Sequence, residues 1–484
     1  MTAFSEKMKA AIEQCGVPVG FLAERSGMSA SLLYKIQSGA RLPDSLDTLN
    51  RLIEAMACSI EERTELTQAY KIERIGIRRY ESFQELKGLL ADIVELSPTI
   101  REPMTDAGTK LPRIINGPRN VNAAVLTLLE REVRRDGGQI DMTTPVRYHY
   151  GLECVSKVLA NRAPGFRCIR HLFCLKSSGT DEALLYNMTA IRALLPRMLN
   201  LERYDPWYSY LPNPDDRTVP FPFFILTSEG VLLLDSILHS AVFLDEPEIM
   251  TLFRRNVEQM THRFTPVMRT GKGTIRNYIT AHAKIIARAK KRPVPVSVAA
   301  QPSILPCLRQ EAVAKYVPPE LLQDDEMAAG IAEFFQGSAR DGYVTFFTMD
   351  GLRHLIFQGK IMEMIGPDIP VFDREDILDA LEELIRRAKT GSIVPYMFRE
   401  EVFRGFTRIS LGLYGTVLFV CCDIPSRSLV FNDITEATLA RVLKDYSENA
   451  LQLGDVFSPE ETIRILEHEV RLSRKRLNES ATSP

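Results

Sequence analysis

Apolar and polar positions divide the chain into a helical beginning and a longer mixed remainder. Over residues 1–76 apolar side chains recur at the spacing of amphipathic helices, with breaks at glycine and proline. The last of these helices has a clear start signal, because Ser59 and Glu62 form a Ser-x-x-Glu capping box, and it runs towards Ile75. The pattern therefore predicts an all-α N-terminal region that ends near Gly76.

From about residue 80 the pattern changes to helices that alternate with strands. Helical spacing marks residues 120–135, 155–161, 181–199, 246–264, 374–388, 436–448 and 459–477. Short runs typical of strands occupy residues 139–143, 167–175, 343–348, 416–422 and 428–431. Residues 223–227 and 231–235 are predicted to form a hairpin with a glycine-containing turn. This alternation favours an α/β fold in which helices cover a mixed or parallel sheet.

A proline-rich stretch at residues 292–303 interrupts the alternation. A helix cannot run through its prolines, so this stretch is predicted to be an extended connector. The sequence shows no internal repeat and no low-complexity tract. We therefore expect a multidomain protein with a helical domain over residues 1–76, an α/β sensor domain over 77–292, and a second α/β domain for sensing or dimerisation over 293–484.

Segment 19–37 carries the most informative spacing in the chain. Two helices that cross at a steep angle need a small residue at the crossing, and Ala23 meets that need. The tight turn between them needs a residue that tolerates positive φ, which Gly27 supplies, and Ser29 is placed to cap the second helix. The apolar positions that would bury the second helix are Leu22, Met28, Leu33 and Ile36. Its outward positions are then small, polar or basic, as suits a helix that enters a DNA major groove: Ala30, Ser31, Tyr34 and Lys35.

In these features the chain resembles the lambda-repressor-like (Cro/repressor, or XRE-type) family of helix-turn-helix DNA-binding domains. The similarity covers residues 5–57 and is carried by Leu-Ala-Glu-Arg-Ser-Gly-Met-Ser at 22–29 and Ile-Gln-Ser-Gly-Ala-Arg-Leu-Pro at 36–43. The resemblance implies base-facing positions for part of the second helix and phosphate contacts at its flanks. Family members often carry long amides at two of the base-facing positions, which this chain lacks. The candidate DNA-binding residues are Ala30, Ser31, Tyr34 and Lys35 on the second helix, with Ser29 and Arg41 at the phosphate positions.

Charge changes this picture only locally. The 484 residues carry 60 Lys+Arg against 62 Asp+Glu, and this net charge of −2 excludes a protein that coats nucleic acid over its whole surface. Residues 1–76 hold 9 Lys+Arg and 10 Asp+Glu, which leaves open a helical bundle used only for protein contacts. Arg25, Lys35 and Arg41 nevertheless cluster around the predicted DNA face, and this favours DNA binding.

A second basic stretch lies between residues 259 and 310, where ten Lys+Arg occur without Asp or Glu. It is either a second nucleic-acid contact, an anion pocket or, in the simplest interpretation, a solvated surface. Residues 115–290 also resemble, weakly, the phospholipase-D-like sensor domains found behind helix-turn-helix modules. The catalytic form of that fold needs His-x-Lys and then Asp. Here His282 and Lys284 are present but Ala289 stands in place of the Asp, so the resemblance implies a non-catalytic ligand sensor.

Other candidate chemistry is sparse. No two histidines lie three to five residues apart and no Cys-x-x-Cys pair occurs, so no metal site is predicted. Nucleophile-elbow and phosphate-loop motifs are also missing, so we expect neither an enzyme nor a bound cofactor. An aromatic cluster either lines a ligand pocket or, more simply, packs as a loop on the core; it comprises Tyr204, Trp207, Tyr208 and Tyr210.

The predicted function is that of a sequence-specific DNA-binding transcription regulator. It would act as a homodimer on double-stranded DNA, with C-terminal regions that respond to an unidentified small-molecule effector. The sparse cysteines and the lack of a signal peptide or membrane-spanning run indicate a cytoplasmic protein with no membrane partner. Two alternatives stay open: an enzyme of unknown reaction tethered by the helix-turn-helix, and a scaffold or antitoxin-like interaction protein.

Overall fold

The chain begins with six helices and continues into two mixed sheets that are covered by further helices. The computed structural model describes residues 2–95, 110–214, 219–272, 295–316, 323, 342–361, 371–400, 402, 409–415, 417–422 and 430–482. The predicted order of regions, helical at the N-terminus and α/β in the remainder, is therefore confirmed. Within these ranges, no helix combines the length and apolarity that crossing a bilayer requires.

The first five helices share a core of their own, and we call this part (residues 2–75) the head. The six N-terminal helices are α1 (Ala3–Cys15), α2 (Val19–Ser26), α3 (Ala30–Gln37), α4 (Leu46–Met56), α5 (Ile60–Ile75) and α6 (Ile77–Glu95). The predicted capping box starts α5: Glu62 N donates to Ser59 Oγ at 3.1 Å and Ser59 N donates to Glu62 Oε2 at 2.8 Å. The side chains that fill the core come from all five helices and include Phe4, Met8, Leu22, Leu33, Ile36, Leu49, Leu52, Ile53 and Tyr70.

The part of the chain that begins at α6 is called the body, and its first half builds an eight-stranded sheet. Its strands are β1 (Ile114–Asn116), β2 (Gln139–Met142), β3 (Cys168–Lys176), β4 (Tyr204–Leu211), β5 (Phe223–Leu226), β6 (Val231–Leu234), β7 (Ser240–Leu244) and β8 (Thr265–Pro266). Its helices are α7 (Pro118–Val133), α8 (His149–Leu159), α9 (Asp181–Asn200) and α10 (Pro247–Thr261). The strand order is β1-β7-β6-β5-β2-β3-β4-β8, and only the β2–β3 and β3–β4 pairs are parallel. The predicted hairpin is confirmed as the antiparallel pair β5–β6.

The second half of the body builds a seven-stranded sheet. Its strands are β9 (Met268–Lys272), β10 (Val296–Ala299), β11 (Tyr343–Phe347), β12 (Ile393–Met397), β13 (Ile409–Tyr414), β14 (Val417–Cys422) and β15 (Val430–Ile434). Its helices are α11 (Gln310–Tyr316), α12 (Met349–Gln358), α13 (Arg374–Lys389), α14 (Ala437–Asn449) and α15 (Pro459–Thr482). The order is β12-β11-β10-β13-β14-β15-β9, again with two parallel pairs, β10–β11 and β11–β12.

The two sheets repeat one topology, although the sequence shows no repeat. In each sheet three successive parallel strands (β2–β4, β10–β12) are followed by an antiparallel meander (β5–β7, β13–β15) that starts beside the first of them. A short strand that precedes the parallel set, β1 or β9, pairs with the last strand of the meander. After the meander the chain continues into a helix, α10 or α14. The sheets change over at Val267, upstream of the predicted boundary at 292/293, which itself lies outside the described residues.

The prediction that residues 292–303 form a connector is wrong for the part that the structure describes. Residues 296–299 are β10, which lies inside the second sheet between β11 and β13 and is buried along its whole length. Pro293 and Pro295 precede the strand and Pro302 follows it, so no proline interrupts it, and Val-Ser-Val-Ala has the β-branched, largely apolar character of a buried strand. The expected extended backbone is confirmed, but it forms part of the core.

The prediction that the aromatic cluster is a loop is also wrong. Residues 204–211 form β4, in which Tyr204 and Tyr208 are buried while Trp207 is half-buried and Tyr210 is exposed. Pro206 obscures this pattern in the sequence, yet it is tolerated because β8, the neighbour on one side, pairs only with Trp207 and Tyr208. His282, Lys284 and Ala289 lie outside the described residues, as does the centre of the basic stretch.

One core joins the two sheets and includes α6. It contains Phe83, Leu86 and Leu90 of α6 together with buried side chains of α7, α9, β2, β3, β10, β13, β14 and α14. The helix α6 therefore belongs to the body, whereas α5 belongs to the head. A second core lies between the seven-stranded sheet and the helices α12, α13 and α15.

His171 of β3 is a fully buried neutral imidazole in this shared region. Its Nε2–H donates to the Thr144 carbonyl at 2.6 Å, which leaves Nδ1 to accept from the Tyr204 hydroxyl at 2.8 Å. Burial lowers the pKa of His171 from 6.5 to about 4. The unfolded chain therefore binds a proton between these values while the folded chain does not, and the imidazole makes stability fall as the pH falls through this window.

We expect His171→Gln to remove up to roughly 3 kcal/mol of the loss in unfolding free energy between pH 6.5 and pH 4. Urea unfolding followed by circular dichroism at several pH values measures this difference. The exposed His468 provides the matched control, since His468→Gln should keep the pH dependence of the parent. A parent-like pH dependence in His171→Gln would contradict the account.

Candidate nucleic-acid interface

The turn between α2 and α3 sets the angle at which these helices leave one another. Gly27 has φ 72° and ψ 24°, a left-handed conformation that glycine adopts without strain, and its N–H donates to the carbonyls at the end of α2. The next amide, Met28 N, donates to Ala23 O at 2.9 Å. Ala23 itself is buried, as expected for the small residue at a close crossing. The predicted turn geometry is present at the predicted residue.

The start of α3 is capped as the sequence predicts. Ser29 has an extended backbone, and its Oγ accepts from Leu32 N at 3.2 Å. Such a cap satisfies one of the free N–H groups of the helix and stabilises it by about 1 kcal/mol. The hydroxyl of Ser29 is therefore already engaged by the helix, although the residue as a whole is exposed.

The inner face of α3 holds the helix firmly on the head. Leu33 and Ile36 are completely buried against the core that also contains Leu22, and Met28 is half-buried beside it. Burying two such side chains contributes on the order of 1.5–3 kcal/mol each. The orientation of α3 is thus fixed by packing, and its opposite face is left to solvent.

The outer face of α3 consists of predicted DNA-binding residues. Ala30, Ser31, Tyr34 and Lys35 are all exposed, and Tyr34 keeps 58% of its accessible surface. Lys35 forms no ion pair with any residue that the structure describes, and α3 contains no acidic residue. This face therefore offers a hydroxyl, a phenol and an ammonium group whose partners would come from outside the head.

An open groove of about 890 Å³ lies along this face. It is lined by Ser31, Tyr34 and Lys35 together with three residues that the sequence did not single out, Lys9, Gln37 and Ser38. The groove does not include Ser29, Ala30 or Arg41.

Lys9 reaches the groove because of how α1 packs on α3. Ser5, one helical turn before Lys9, is buried against Gly39 at the end of α3. Lys9 therefore lies beside the C-terminal part of α3, with only a 3.8 Å pair to the exposed Glu13. Lys7, on the same helix, pairs instead with Glu65 of α5. Spacing alone identifies the inner positions of α1, but it does not show which neighbouring helix each flank of α1 meets.

Arg41 and Arg25 are exposed near α3 but stand apart from the groove. The backbone N–H of Arg41 donates to Lys35 O at 3.1 Å, which ties the segment after α3 to the helix. Its guanidinium forms a 3.0 Å pair with Asp44, and both side chains are more than half exposed. Such surface pairs contribute about 0–1 kcal/mol, so a phosphate can replace the carboxylate at little cost. Arg25 lies in the last turn of α2.

The described part of the body shows no candidate metal site. No group of three or more His, Cys, Asp or Glu side chains in it is arranged to hold a metal ion. Cys154 of α8 is a buried thiol whose pKa burial raises to about 11, the opposite of the change that activates a nucleophile.

Comparisons with known proteins do not assign this chain to a family. No protein-family model matches it. No curated protein is significantly similar to it. The candidate site is therefore defined by its own geometry: an exposed polar and basic helix face, held from behind by buried leucine and isoleucine and flanked by a lysine-lined groove.

Proposed function

We propose that the protein is a sequence-specific DNA-binding transcription regulator. In this proposal α2 and α3 of the head form a helix-turn-helix, α3 enters the major groove, and the protein acts as a homodimer on two half-sites. The body senses a signal, dimerises the protein, or does both.

The observation that carries the proposal is the division of α3 into two faces. Its inner side chains are fully buried, so the helix keeps one orientation, while Ser31, Tyr34 and Lys35 project without described protein partners. A helix that reads base edges needs this combination, because its side chains must reach the floor of the DNA major groove from a rigid support. A helix that serves only to pack the head would not need a polar, acid-free outer face.

The distribution of charge within the head supports the same assignment. The head is nearly neutral, and four of its ten acidic residues lie on α5, where Glu62 caps the helix and Glu65 pairs with Lys7. Lys9 and Lys35 line the groove along α3. The near-neutral total therefore hides a local basic face that suits phosphate contact.

Lys35→Ala and Ser31→Ala should change which base pairs the protein prefers. In this proposal, each change removes a group that contacts base edges in the DNA major groove. The loss of one good base contact costs about 1–3 kcal/mol at the base pair that the side chain reads. Competition binding with duplexes varied at single positions measures this change. Lys7→Ala, which removes a lysine on the far flank of α1, is the control and should keep the parent's preference.

Arg41→Ala should weaken binding to all duplexes alike. A phosphate contact carries no sequence information, so the logarithmic salt dependence of binding should fall by about one unit while the preferred sequence stays the same. Gel-shift titrations at several salt concentrations give this slope. Loss of sequence preference without a smaller slope would place Arg41 at a base instead.

Lys9→Ala should act like Arg41→Ala, since Lys9 lines the groove from outside α3. We expect weaker binding to every duplex and a salt slope reduced by about one unit. Lys7→Ala again serves as the control and should keep the parent's slope. If the Lys9, Ser31, Lys35 and Arg41 variants all bind duplex DNA like the parent, the assignment of α3 as the reading helix is wrong.

A further inference from the structure

The head and the body have separate apolar cores, and the contacts between the two parts include Ile75 of α5 on the body core and Leu46 of α4 beside Gly454. Leu66 and Tyr70 of α5 are buried in the head, while Phe83 and Leu86 of α6 are buried in the body. Between the two helices stands Gly76, with φ 88° and ψ 142°, a conformation that interrupts the helix and is rarely open to other residues. The covalent link between the two parts is therefore a one-residue hinge.

A buried carboxylate bridges this hinge. Asp455, in the loop after α14, keeps only 2% of its accessible surface, and its Oδ1 lies 3.4 Å from the Lys71 ammonium of the head. Its Oδ2 contacts the Lys87 ammonium of α6 and accepts a hydrogen bond of 3.0 Å from the Tyr446 hydroxyl of α14. Three elements of the body and one of the head thus meet at one side chain.

The charges around Asp455 make the cluster depend on this one carboxylate. Two lysine side chains, each only 18% exposed, share one carboxylate, so the cluster holds one more positive than negative charge. Burial is the main cause that lowers the pKa of Lys87; Lys71 acts in the same direction and Asp455 opposes both. Removing Asp455 would leave two lysine charges uncompensated, which is strongly destabilising, whereas removing Lys71 leaves one balanced pair within the body.

Helix α14 connects this cluster to the contact between the two sheets, which we call the seam and define by Tyr210 and Glu436. At its start Glu436 is fully buried and accepts a 2.7 Å hydrogen bond from the hydroxyl of Tyr210, a residue of β4 in the first sheet. About 15 Å further along, in the last turns of the helix, Tyr446 contacts Asp455. The helix α6 is tied to α14 by Arg79 and Asp445 at 3.2 Å.

We propose that the Lys71–Asp455 contact is a latch that fixes the orientation of the head on the body, and that its release lets the head turn about Gly76. Because α14 reaches from the seam between the sheets to Asp455, a change of packing at that seam would act on the latch. The latch itself is independent of what the head binds. Only its consequence for half-site spacing rests on the proposed function.

Lys71→Met tests the latch with the least disturbance of the body. It removes the head's contribution, while Lys87, Tyr446 and Asp455 still satisfy one another. Spin labels introduced as non-canonical amino acids at the exposed Ile60 of the head and Leu252 of the body report the distance between them. Mixing the doubly labelled protein with an excess of unlabelled protein restricts the measured distances to pairs of labels within one molecule.

We expect the distance distribution to broaden about twofold or more in Lys71→Met, with unchanged near-ultraviolet circular dichroism. Lys7→Met, which breaks an exposed pair inside the head, is the matched control and should leave the distribution narrow. A narrow, parent-like distribution in Lys71→Met would overturn the proposal.

A double-mutant cycle separates the latch from general destabilisation. Asp455→Asn should also broaden the distribution, and adding Lys71→Met to it should broaden it no further, because both changes act on one contact. Additive broadening would instead show two independent effects and overturn the latch.

Duplexes that differ in half-site spacing then test the consequence for DNA. A fixed head should discriminate between spacings, and Lys71→Met should reduce that discrimination about tenfold. If neither protein binds DNA, the proposed function fails while the distance measurement still decides the latch.

Discussion

The separation of the head core from the body core at Gly76 is the constraint on which the rest of this structure depends. Because the head buries its own apolar residues, α3 needs no support from the body and can present Ser31, Tyr34 and Lys35 to solvent. The described contacts across the hinge include a charged cluster around Asp455 beside the apolar contacts of Ile75 and Leu46. The cluster is costly to disturb, because loss of its carboxylate would leave two lysine charges uncompensated. The division of the cores thus explains the exposed outer face of α3 and, in our proposal, gives the body a route by which it influences that face.

The body is far larger than DNA binding requires, and its architecture gives that size a meaning. One strand order occurs twice, and one shared core holds both sheets and α6 together. The boundary between the two similar sheets therefore lies within a single chain. In a dimer of one-sheet subunits the same boundary would lie between two chains. Tyr210 and Glu436 lie at this seam, and α14 leads from it towards the head. The head and the rest of the chain each contribute −1 to the net charge of −2, so the total says little about the few basic groups along α3.

Local signals predicted the head well and the sheets only in part. Gly27, Ser29 and the Ser59–Glu62 box act on their immediate neighbours, so their roles can be read from the sequence. Sheet order depends on contacts between distant segments, such as β1 with β7 and β9 with β15, and no local pattern encodes it. The strand β10 escapes prediction because the prolines on either side of it are typical of a linker. The position of Lys9 along the groove cannot be predicted from the sequence, because it depends on which helix packs beside α1.

Selection from a pool of random duplexes by the full-length protein tests the central claim most directly. If α3 reads base edges and the protein acts as a dimer, repeated selection should enrich one near-palindromic motif, with half-sites about one helical turn, or about 34 Å, apart. The enriched motif should compete for the protein at least about a thousandfold better than unrelated DNA at physiological salt. A pool that stays random after selection, with binding no tighter than to any other duplex, would contradict the account.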